Sequence, residues 1–424
     1  MLGFKRYTTA GCVLLLAAGC NRSPAPPSKT SPPPANRPSI LLITLDTTRA
    51  DSIGPEAAGV QTPAFNEIAA RGVRFRQAYA TVPETLPSHA SMLTGLYPGG
   101  HGVHENARYL GASVPVAAEK LQQAGYRTSA FVSSFVLSRR FGLARGFDVY
   151  DDMLGAANER TSRETTDAAL IELGHGTDKP RFLWVHYYDA HYPYQPPEPY
   201  RARYARKPYL GEIAAMDEQI GRLVQAFERQ ATAPVAIAIV ADHGEGLGDH
   251  GESQHGDLLY QPTMHVPMAL VGPGVPVDVD DTPISTRRIF QTLLDWAEGR
   301  SLRLADDSQE VILGEAMKPF LEYGWQPQVM AVAGRTKEVL AGTIEVYDIS
   351  ADPGERRMLT RPPALRKWLE DYPVPSPEAA RAPQNLDADA KRRLASLGYV
   401  GSTALPVGIR VFSIKPNARI VSRC

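Results

Sequence analysis

Three runs of apolar residues, each ending in polar residues, constrain the fold of this 424-residue chain more than any other feature. They are residues 39–46 (SILLITLD), 179–189 (KPRFLWVHYYD) and 233–246 (APVAIAIVADHGEG). Continuous apolar runs of this length are typical of parallel strands that are buried on both faces. A helical pattern at residues 210–230 separates the second run from the third. The sequence therefore predicts an α/β fold with a mostly parallel sheet flanked by helices.

The pattern changes after residue 301. The segments EVILGEA and QVMAVAGRTKEVLAGTIEVYDIS indicate short strands in close succession, without the long helices of the first part. We expect a catalytic domain at residues 39–300 and a small C-terminal sheet subdomain at residues 301–401. The last residues, 402–424, fit no clear element and are assigned as a tail.

The N-terminus predicts export. Residues 1–20 have a basic start, a short apolar stretch and an Ala-Gly-Cys ending, which resembles a bacterial lipoprotein signal with Cys20 as the lipidated residue. A Pro-rich tether follows at residues 21–38 and would act as a semi-rigid spacer. We therefore expect a lipid-anchored protein of the bacterial cell envelope, on the periplasmic face or the cell surface. The alternative is an ordinary secretory signal with an incidental cysteine.

Charge and cysteine content exclude two classes. The net charge is -1, so no basic field indicates binding to a nucleic acid polymer. The chain has three cysteines, and a lipidated Cys20 would leave no disulfide framework in the mature protein.

The strongest chemical signal follows the third apolar run. Residues 241–256 (ADHGEGLGDHGESQHG) place Asp242, His243 and His255 among glycines, together with Asp249 and His250. Carboxylates and imidazoles are ligands of zinc-like metals, and glycines allow separated side chains to converge. The alternative is a polar surface loop. Asp46, at the end of the first run, is a second candidate because polar residues at the carboxyl ends of parallel strands form sites.

The second apolar run also ends in possible ligands. His186, Asp189 and His191 lie in the aromatic stretch VHYYDAHYPYQPP. Asp189 and His191 could join the same metal cluster, whereas His186 lies inside the strand pattern and is expected to be structural. The alternative for the whole stretch is an aromatic turn with structural histidines.

Thr85 opens the segment TLPSHASMLTG and is the candidate nucleophile. Pro87 suits the first turn of a helix, and a helix N-terminus favours a bound anion such as phosphate or sulfate. A hydroxyl reacts at neutral pH only when a base or a metal lowers its pKa. Without the metal candidates, a threonine at this position would be interpreted as a helix cap.

Taken together, these stretches resemble the sulfatase family of the alkaline phosphatase superfamily over residues 39–401. TLPSHASMLTG is similar to the sulfatase signature, and LLITLDTTRAD, HYPYQPP, ADHGEGLGDHG, HVPMALVGPG and VYDISADPGE match further blocks in order. The resemblance implies a large α/β domain with a small C-terminal sheet domain, and hydrolysis of an ester at a metal site.

The departures from the family pattern all lie at expected site positions. Thr85 replaces the Cys or Ser that sulfatases convert to formylglycine, and threonine cannot give that aldehyde. The usual Asp pair is Asp46-Thr47, the signature Arg is His89, the Asp-Asn pair is Asp242-His243, and the later Lys corresponds to His255. The site becomes richer in imidazole, which suits zinc better than calcium.

This pattern is similar to the Thr-nucleophile phosphodiesterases of the same superfamily, the nucleotide pyrophosphatases. The resemblance implies two divalent metal ions, with zinc preferred and manganese or calcium as alternatives. Asp46, Thr85, Asp242 and His243 would hold one ion, and Asp189, His191 and His255 the other.

Asn106 matches the phosphate-binding Asn of the nucleotide pyrophosphatases in its distance from Thr85, although it could equally be a turn residue. Pocket walls are expected in residues 99–111 and 155–164, where His101 and His104 have no assigned role.

The functional expectation is a metal-dependent hydrolase of phosphate esters, with phosphodiesters favoured. A sulfuric ester hydrolase that uses unmodified Thr85 is the first alternative. A transferase to an envelope acceptor and a non-catalytic lipoprotein that binds a polyanionic glycan are the others.

Overall fold

A computed structural model describes residues 37–155, 158–302, 310–376 and 387–396. The predicted signal peptide at residues 1–20, the tether up to residue 36 and the tail at 402–424 lie outside the described residues. Among the helices of the described part, none combines the length and the apolar character that crossing a membrane requires.

The large sheet has nine strands. In chain order they are β1 (Ser39–Leu45), β2 (Val73–Tyr79), β3 (Arg127–Phe131), β4 (Val149–Asp151), β5 (Arg181–Tyr187), β6 (Val235–Ala241), β7 (His265–Val271), β8 (Asp278–Asp280) and β9 (Ile284–Ser285). Their spatial order is β4-β3-β5-β1-β6-β7-β2-β8, with β9 paired to β2. All pairs are parallel except those that β7 makes with β6 and β2. The predicted α/β class with a mostly parallel sheet is confirmed.

Helices cover the sheet in two groups. The helices of this part are α1 (Pro63–Ala70), α2 (Thr85–Thr94), α3 (Pro98–His101), α4 (Ala117–Gln123), α5 (Ser162–Leu173), α6 (Tyr200–Arg203), α7 (Pro208–Gln230), α8 (Gln261–Met264) and α9 (Arg288–Glu298). Helices α1, α5, α6 and α7 contact one another in one layer, and α2, α4 and α9 form another. Short 3-10 turns occur at Ala50–Ser52, Phe135–Leu137, Arg139–Phe141 and Asp249–Gly251.

A second sheet of four antiparallel strands follows, as the sequence predicted. It consists of β10 (Ile312–Ala316), β11 (Gln328–Ala333), β12 (Thr336–Ala341) and β13 (Thr343–Asp348), accompanied by α10 (Lys318–Tyr323), α11 (Arg366–Glu370) and α12 (Ala388–Ser396). Met330, Val332 and Val339 of this sheet belong to the main hydrophobic core. Val329 and Ala331 instead pack with Leu369 of α11 in a separate cluster. One face of the small sheet therefore shares its core with the large domain.

Strand β1 lies at the centre of the large sheet and determines where the site forms. It pairs in parallel with β5 on one side and with β6 on the other, so Leu45 is opposite both Tyr187 and Ala241. The carboxyl ends of the three strands therefore meet at one edge. The residues that follow them are the polar residues that the sequence singled out.

Asp217 connects two helices of one layer. Its side chain, on α7, accepts hydrogen bonds from the backbone N–H groups of Ala64 (2.9 Å) and Phe65 (2.8 Å) in the first turn of α1. These N–H groups have no partner within their own helix, since the first four donors of any α-helix are free. Asp217 therefore acts as a cap that comes from a distant part of the chain.

We expect Asp217→Ala to lower the free energy of unfolding by about 2 kcal/mol, because the buried N–H of Phe65 and the partly buried N–H of Ala64 lose their acceptor. Urea denaturation of the two proteins measures the difference. Asp217→Asn retains one acceptor oxygen and should lose roughly half as much. A loss below about 0.5 kcal/mol for the Ala variant would show that the cap contributes little.

Candidate active site

Two buried carboxylates lie side by side at the ends of neighbouring strands. The backbone N–H of Asp46 donates to Tyr187 O (2.9 Å), and that of Asp242 donates to Leu45 O (3.0 Å), so the ladders on both sides of β1 continue to these residues. Both carboxylate side chains are completely buried. Burial raises the pKa of Asp46, and burial together with the charge of Asp46 raises the pKa of Asp242 well above its usual range.

Thr85 is the first residue of α2, a helix whose ten residues are all buried and which ends at Gly95 in a left-handed conformation (φ 74°). The Thr85 hydroxyl oxygen lies 3.4 Å from Asp46 Oδ2 and 3.5 Å from His243 Nε2. The structure therefore brings the predicted nucleophile together with two of the predicted metal ligands.

His243 presents a lone pair to this cluster. Its Nδ1 lies 2.9 Å from the carbonyl oxygen of Gly244, which can only accept, so the ring proton is on Nδ1. Its Nε2 is 3.6 Å from Asp46 Oδ1 and 3.7 Å from Asp242 Oδ2. Burial, and then the neighbouring His255, lower the pKa of His243 well below its usual range. The ring is therefore neutral, which is the form that binds a metal.

The cluster fits one divalent cation. Asp46 Oδ1 and Asp242 Oδ2 are buried without a hydrogen-bond partner, which is costly for carboxylates unless a cation lies between them. Ligand atoms about 2.1 Å from a tetrahedral ion are roughly 3.4 Å apart. The four separations measured among Thr85, Asp46, His243 and Asp242 range from 3.4 to 3.7 Å, too long for good hydrogen bonds. The hydroxyl is nearest Asp46 Oδ2 and the imidazole nearest Asp46 Oδ1, so the Asp46 carboxylate, Asp242 Oδ2, His243 Nε2 and Thr85 Oγ1 would form the donor set.

A second pair of histidines lies beside this cluster. The ring centroid of His255 is 4.5 Å from that of His243 and 5.1 Å from that of His191. His255 Nδ1 lies 3.1 Å from Glu245 Oε1, and His191 Nδ1 lies 2.7 Å from the carbonyl oxygen of Tyr192. Both rings thus carry the proton on Nδ1 and leave Nε2 free, as metal-binding histidines do.

Burial favours the neutral form of both rings. It lowers the pKa of His255 to about 3, with a contribution from the Lys318 charge, and it lowers the pKa of His191, with a contribution from His255. The two rings are therefore ready to bind a cation at neutral pH.

Asp189 is placed differently from the rest of the predicted second set. One of its carboxylate oxygens accepts a hydrogen bond from the backbone N–H of Ser162, the first residue of α5. Burial raises the pKa of Asp189 to about 6. The carboxylate therefore binds the N-terminus of α5, whereas His191, two residues later, lies next to His255.

His89, which corresponds to the signature Arg, has both ring nitrogens occupied by the protein. Nδ1 lies 2.7 Å from Thr85 O, and Nε2 lies 2.9 Å from the Thr44 hydroxyl, which also accepts from Trp184 Nε1 at 2.9 Å. Its ligand atoms lie within 4.8 Å of those of His186 and Asp242. Because neither nitrogen retains a lone pair towards that group, His89 supports α2 and does not act as a metal ligand.

His186 is also close to Asp46. Its Nδ1 accepts a hydrogen bond from the backbone N–H of Ser133 (3.3 Å), so the neutral ring carries its proton on Nε2. Nε2 lies 3.3 Å from Asp46 Oδ2 but outside hydrogen-bonding geometry, so the two groups are close without being hydrogen-bonded. This agrees with the structural role that the strand pattern predicted for His186.

Asn106 borders the start of α2. The side-chain oxygen of Asn106 accepts a hydrogen bond from the backbone N–H of Leu86 (2.8 Å). The backbone N–H of Asn106 donates to Glu84 Oε1 at 3.4 Å. The side-chain amide nitrogen, Nδ2, is buried without a partner. It is therefore an available donor next to Thr85, the residue that precedes Leu86.

The other predicted polar residues have contacts outside the cluster. His101 accepts from Val103 N at Nδ1 (3.1 Å) and contacts the Ser91 hydroxyl at Nε2 (2.9 Å). His104 contacts Glu315 Oε1 at 2.7 Å. Asp249 pairs with Arg49, and His250 Nε2 donates to Gly354 O at 3.0 Å. The contacts found for His101, His104, Asp249 and His250 are therefore with residues other than Asp46 and Asp242.

Sequence reasoning did not identify Glu245, although it lies in the stretch that supplied the predicted ligands Asp242, His243 and His255. Its two oxygens contact His255 Nδ1 and the Tyr194 hydroxyl, and burial raises its pKa to about 7. A carboxylate two residues after His243 was a usable signal, since metal-binding histidines commonly donate their second N–H to a carboxylate. Tyr188, which stacks on His191 at 4.4 Å, gave no such signal.

We expect Zn²⁺ to raise the melting temperature of the metal-free protein, because an ion that binds only the folded state stabilises it. Asp242→Asn should weaken Zn²⁺ binding by more than the roughly 10- to 100-fold typical of outer-shell partners. Calorimetric titration measures this.

Asp189→Asn is the matched control for Asp242→Asn, since it alters a buried carboxylate at the end of the adjacent strand. Because Asp189 contacts α5, we expect the Asp189→Asn protein to bind Zn²⁺ within about threefold of the unchanged protein. This change is much smaller than the loss caused by removing a residue that orients a ligand. An equal loss in both variants would make Asp189 a ligand, as the family resemblance implies.

Comparison with known proteins gives one consistent result. The Sulfatase family model matches residues 38–299. Choline-sulfatase of Rhizobium meliloti is 23% identical over 427 residues, covering 77% of this chain and 83% of the relative. The phosphonate monoester hydrolase of Agrobacterium radiobacter superposes with a TM-score of 0.62 at 19% identity, covering 78% of this chain and 93% of that structure. A protein solved with its substrate D-glucosamine-2-N,6-O-disulfate gives 0.64 at 19% identity, covering 79% and 96%. This chain belongs to the sulfatase family, within the alkaline phosphatase-like hydrolases.

Proposed function

We propose that the protein is a metal-dependent hydrolase of phosphate esters, most favourably phosphodiesters, with Thr85 as the nucleophile. One observation carries this proposal. The Thr85 hydroxyl lies 3.4 Å from Asp46 and 3.5 Å from His243, in a cluster that contains two buried carboxylate oxygens without donors. A threonine that served only as a helix cap would not need these neighbours.

The residues around Thr85 can activate its hydroxyl. A divalent metal held by Asp46, Asp242 and His243 would lower the pKa of the hydroxyl and neutralise charge on the substrate. Asp46 Oδ2 is the nearest base to the hydroxyl, at 3.4 Å, and would accept its proton once this contact shortens as the oxygen attacks. The positive end of the α2 dipole, at Thr85, favours the negative charge that develops there.

The reaction takes two steps. Thr85 Oγ1 forms a bond to phosphorus while the bond to the leaving oxygen breaks, and the proton that Asp46 took from Thr85 passes to that oxygen, which leaves as an alcohol. With a diester, the threonine then carries a phosphoryl group that retains the second ester. A water molecule then attacks phosphorus, breaks the threonine–phosphorus bond and returns the proton to Thr85. A diester thus yields one alcohol and one phosphate monoester.

Asn106 is proposed to hold a non-bridging oxygen of the substrate. Its Nδ2 has no partner in the protein, although its side-chain oxygen is fixed by Leu86 N. A donor that is already oriented stabilises charge on the transferred group at little cost in reorganisation.

We assign His191 and His255 to a second metal ion, which would stabilise the leaving oxygen. The free Nε2 atoms of the two rings support this role. Zinc is favoured at both sites by the nitrogen ligands, with manganese or calcium as alternatives. Asp189 completes this set only if it leaves its contact with α5.

Sulfate ester hydrolysis is the second candidate. Two relatives that match this chain are named a choline-sulfatase and an arylsulfatase of Clostridium perfringens. The same metal cluster and an unmodified Thr85 would serve a sulfate ester. The chemical argument against it is that Thr85 cannot become formylglycine, and that imidazoles replace the Arg and Lys of the family pattern.

The test uses purified protein without residues 1–20, loaded with Zn²⁺, Mn²⁺ or Ca²⁺, and four aryl substrates: a phosphodiester, a phosphomonoester, a phosphonate monoester and a sulfate. We expect the phosphodiester to have the highest kcat/KM. Thr85→Val, which has the shape of threonine without its hydroxyl, should lower kcat by at least about a thousandfold. Thr85→Ser should stay within about tenfold, because it keeps the hydroxyl.

Full activity in Thr85→Val would refute the nucleophile assignment. A preference for the aryl sulfate, lost in the same variant, would retain Thr85 as nucleophile and make the protein a sulfatase. Metal binding without turnover of any substrate would favour the glycan-binding lipoprotein.

Asn106 can be tested with two substitutions. Asn106→Ala removes the free donor and should lower kcat/KM by about 100-fold, as loss of one oxyanion donor typically does. Asn106→Asp keeps an acceptor for Leu86 N but removes the donor, and it should be equally impaired. Recovery of activity in the Asp variant would show that Asn106 serves only the turn.

A further inference from the structure

A buried ion pair in the small sheet is connected to the active site by a continuous series of contacts. Lys337 Nζ on β12 lies 2.7 Å from Glu355 Oε1, and both side chains are fully buried. The angles at these two atoms do not meet hydrogen-bond geometry, so the attraction between them is mainly electrostatic. A buried ion pair is weak evidence for stability, because desolvation offsets its attraction, and it therefore calls for another explanation.

The second oxygen of Glu355 reaches the large domain. Glu355 Oε2 accepts a hydrogen bond of 2.6 Å from the backbone N–H of Gln261, the first residue of α8. A second contact runs in parallel, from His250 Nε2 to Gly354 O. Glu355 itself has a left-handed backbone (φ 50°), which is uncommon for a residue with a side chain. The turn that carries Glu355 is therefore held in a conformation that directs its side chain to α8.

Helix α8 in turn contacts both halves of the site. Thr263 O accepts from Gly244 N at 2.8 Å, and Gly244 is the residue whose carbonyl orients His243. Met264 O accepts from Ala80 N at 2.9 Å, at the start of the segment that leads to Thr85. One short helix thus fixes the backbone on the metal-ligand side and on the nucleophile side.

The packing between α8 and Gly244 leaves no space for adjustment. A Cβ atom at position 244 would lie 2.0 Å from Pro262 O, so only glycine can approach α8 this closely. A displacement of α8 would therefore move Gly244, and with it the hydrogen bond that sets the orientation of the His243 ring.

We infer that Glu355, held by Lys337, is a positioning residue for the metal-ligand His243 and acts through α8. This inference rests on the metal site proposed above. The function of the small sheet is then to hold the metal-ligand loop in register with Thr85.

The experiment measures the Zn²⁺ affinity of metal-free protein by competition with a chromophoric chelator, at a temperature where every variant is folded. Glu355→Ala removes the acceptor from Gln261 N and should weaken Zn²⁺ binding by about 10- to 100-fold, the loss typical of residues that orient a ligand. The double variant Lys337→Met, Glu355→Gln removes both charges but keeps an acceptor for Gln261. It should bind Zn²⁺ within about threefold of the unchanged protein, because the ligand stays oriented.

Glu338→Ala is the matched control. Glu338 lies next to Lys337 on the same strand, is equally buried, and accepts the backbone N–H groups of Ala364 and Leu365, away from α8. We expect it to lower the melting temperature without changing Zn²⁺ affinity. Equal affinity loss in Glu338→Ala and Glu355→Ala would reduce the role of Glu355 to general stability and overturn the inference.

Two further outcomes separate this inference from the proposed function. If the unchanged protein binds no Zn²⁺, the proposed metal site is wrong. If it binds Zn²⁺ and Glu355→Ala binds equally well, only the positioning role is wrong.

Should Glu355→Ala not fold, Glu355→Asp decides, since it keeps the charge beside Lys337 but is one methylene too short to reach both partners. Its affinity should fall by about tenfold, and an unchanged value contradicts the inference.

Discussion

The mutual proximity of Asp46 and Asp242 is the constraint on which the rest of the structure depends. Both carboxylates follow the ends of adjacent strands, and the backbone ladders of the central strand hold them there. Two buried carboxylates with free oxygens are unfavourable in a low dielectric, and burial accordingly raises the pKa of each. The neutral imidazole of His243 and the hydroxyl of Thr85 add two further donors. The four groups together could bind a cation, which would offset the unfavourable burial of the carboxylates. All ten residues of α2, which begins at Thr85, are buried beside these groups.

The exchange of cationic for imidazole side chains that the family resemblance implies would change the charge of the site. His89, which the resemblance places at the signature Arg, has its two nitrogens against Thr85 O and the Thr44 hydroxyl, and burial lowers its pKa well below the usual range. His255 is neutral for the same reason. In the proposed chemistry, the positive charge that an anionic ester requires would come mainly from metal ions. This dependence is the physical link between the sequence departures and the proposed two-ion chemistry.

The fold and the proximity of Asp46 to Asp242 could be predicted from sequence because their signals are local. Apolar runs that end in Asp46 and Asp242 determine both the strands and the edge where these residues meet. The direction of β7 could not be predicted, since a buried strand has the same pattern in parallel and antiparallel pairing. The contact of Asp189 with α5 was also beyond reach, because it depends on how a helix 27 residues earlier in the chain packs. Glu355 carried no chemical signal, as its role comes only from contacts between distant segments.

The sharing of one hydrophobic core by the two sheets has a consequence for how such a chain can change over time. Residues of the small sheet, such as Met330 and Val339, complete the interior of the large domain, and a helix near the C-terminus adds Leu394 to it. An exchange of the C-terminal third for an unrelated module would therefore expose apolar surface of the large domain to water. Diversity among related chains should accumulate as loop variation and single substitutions around a retained junction, and recombination at residue 300 should be rare.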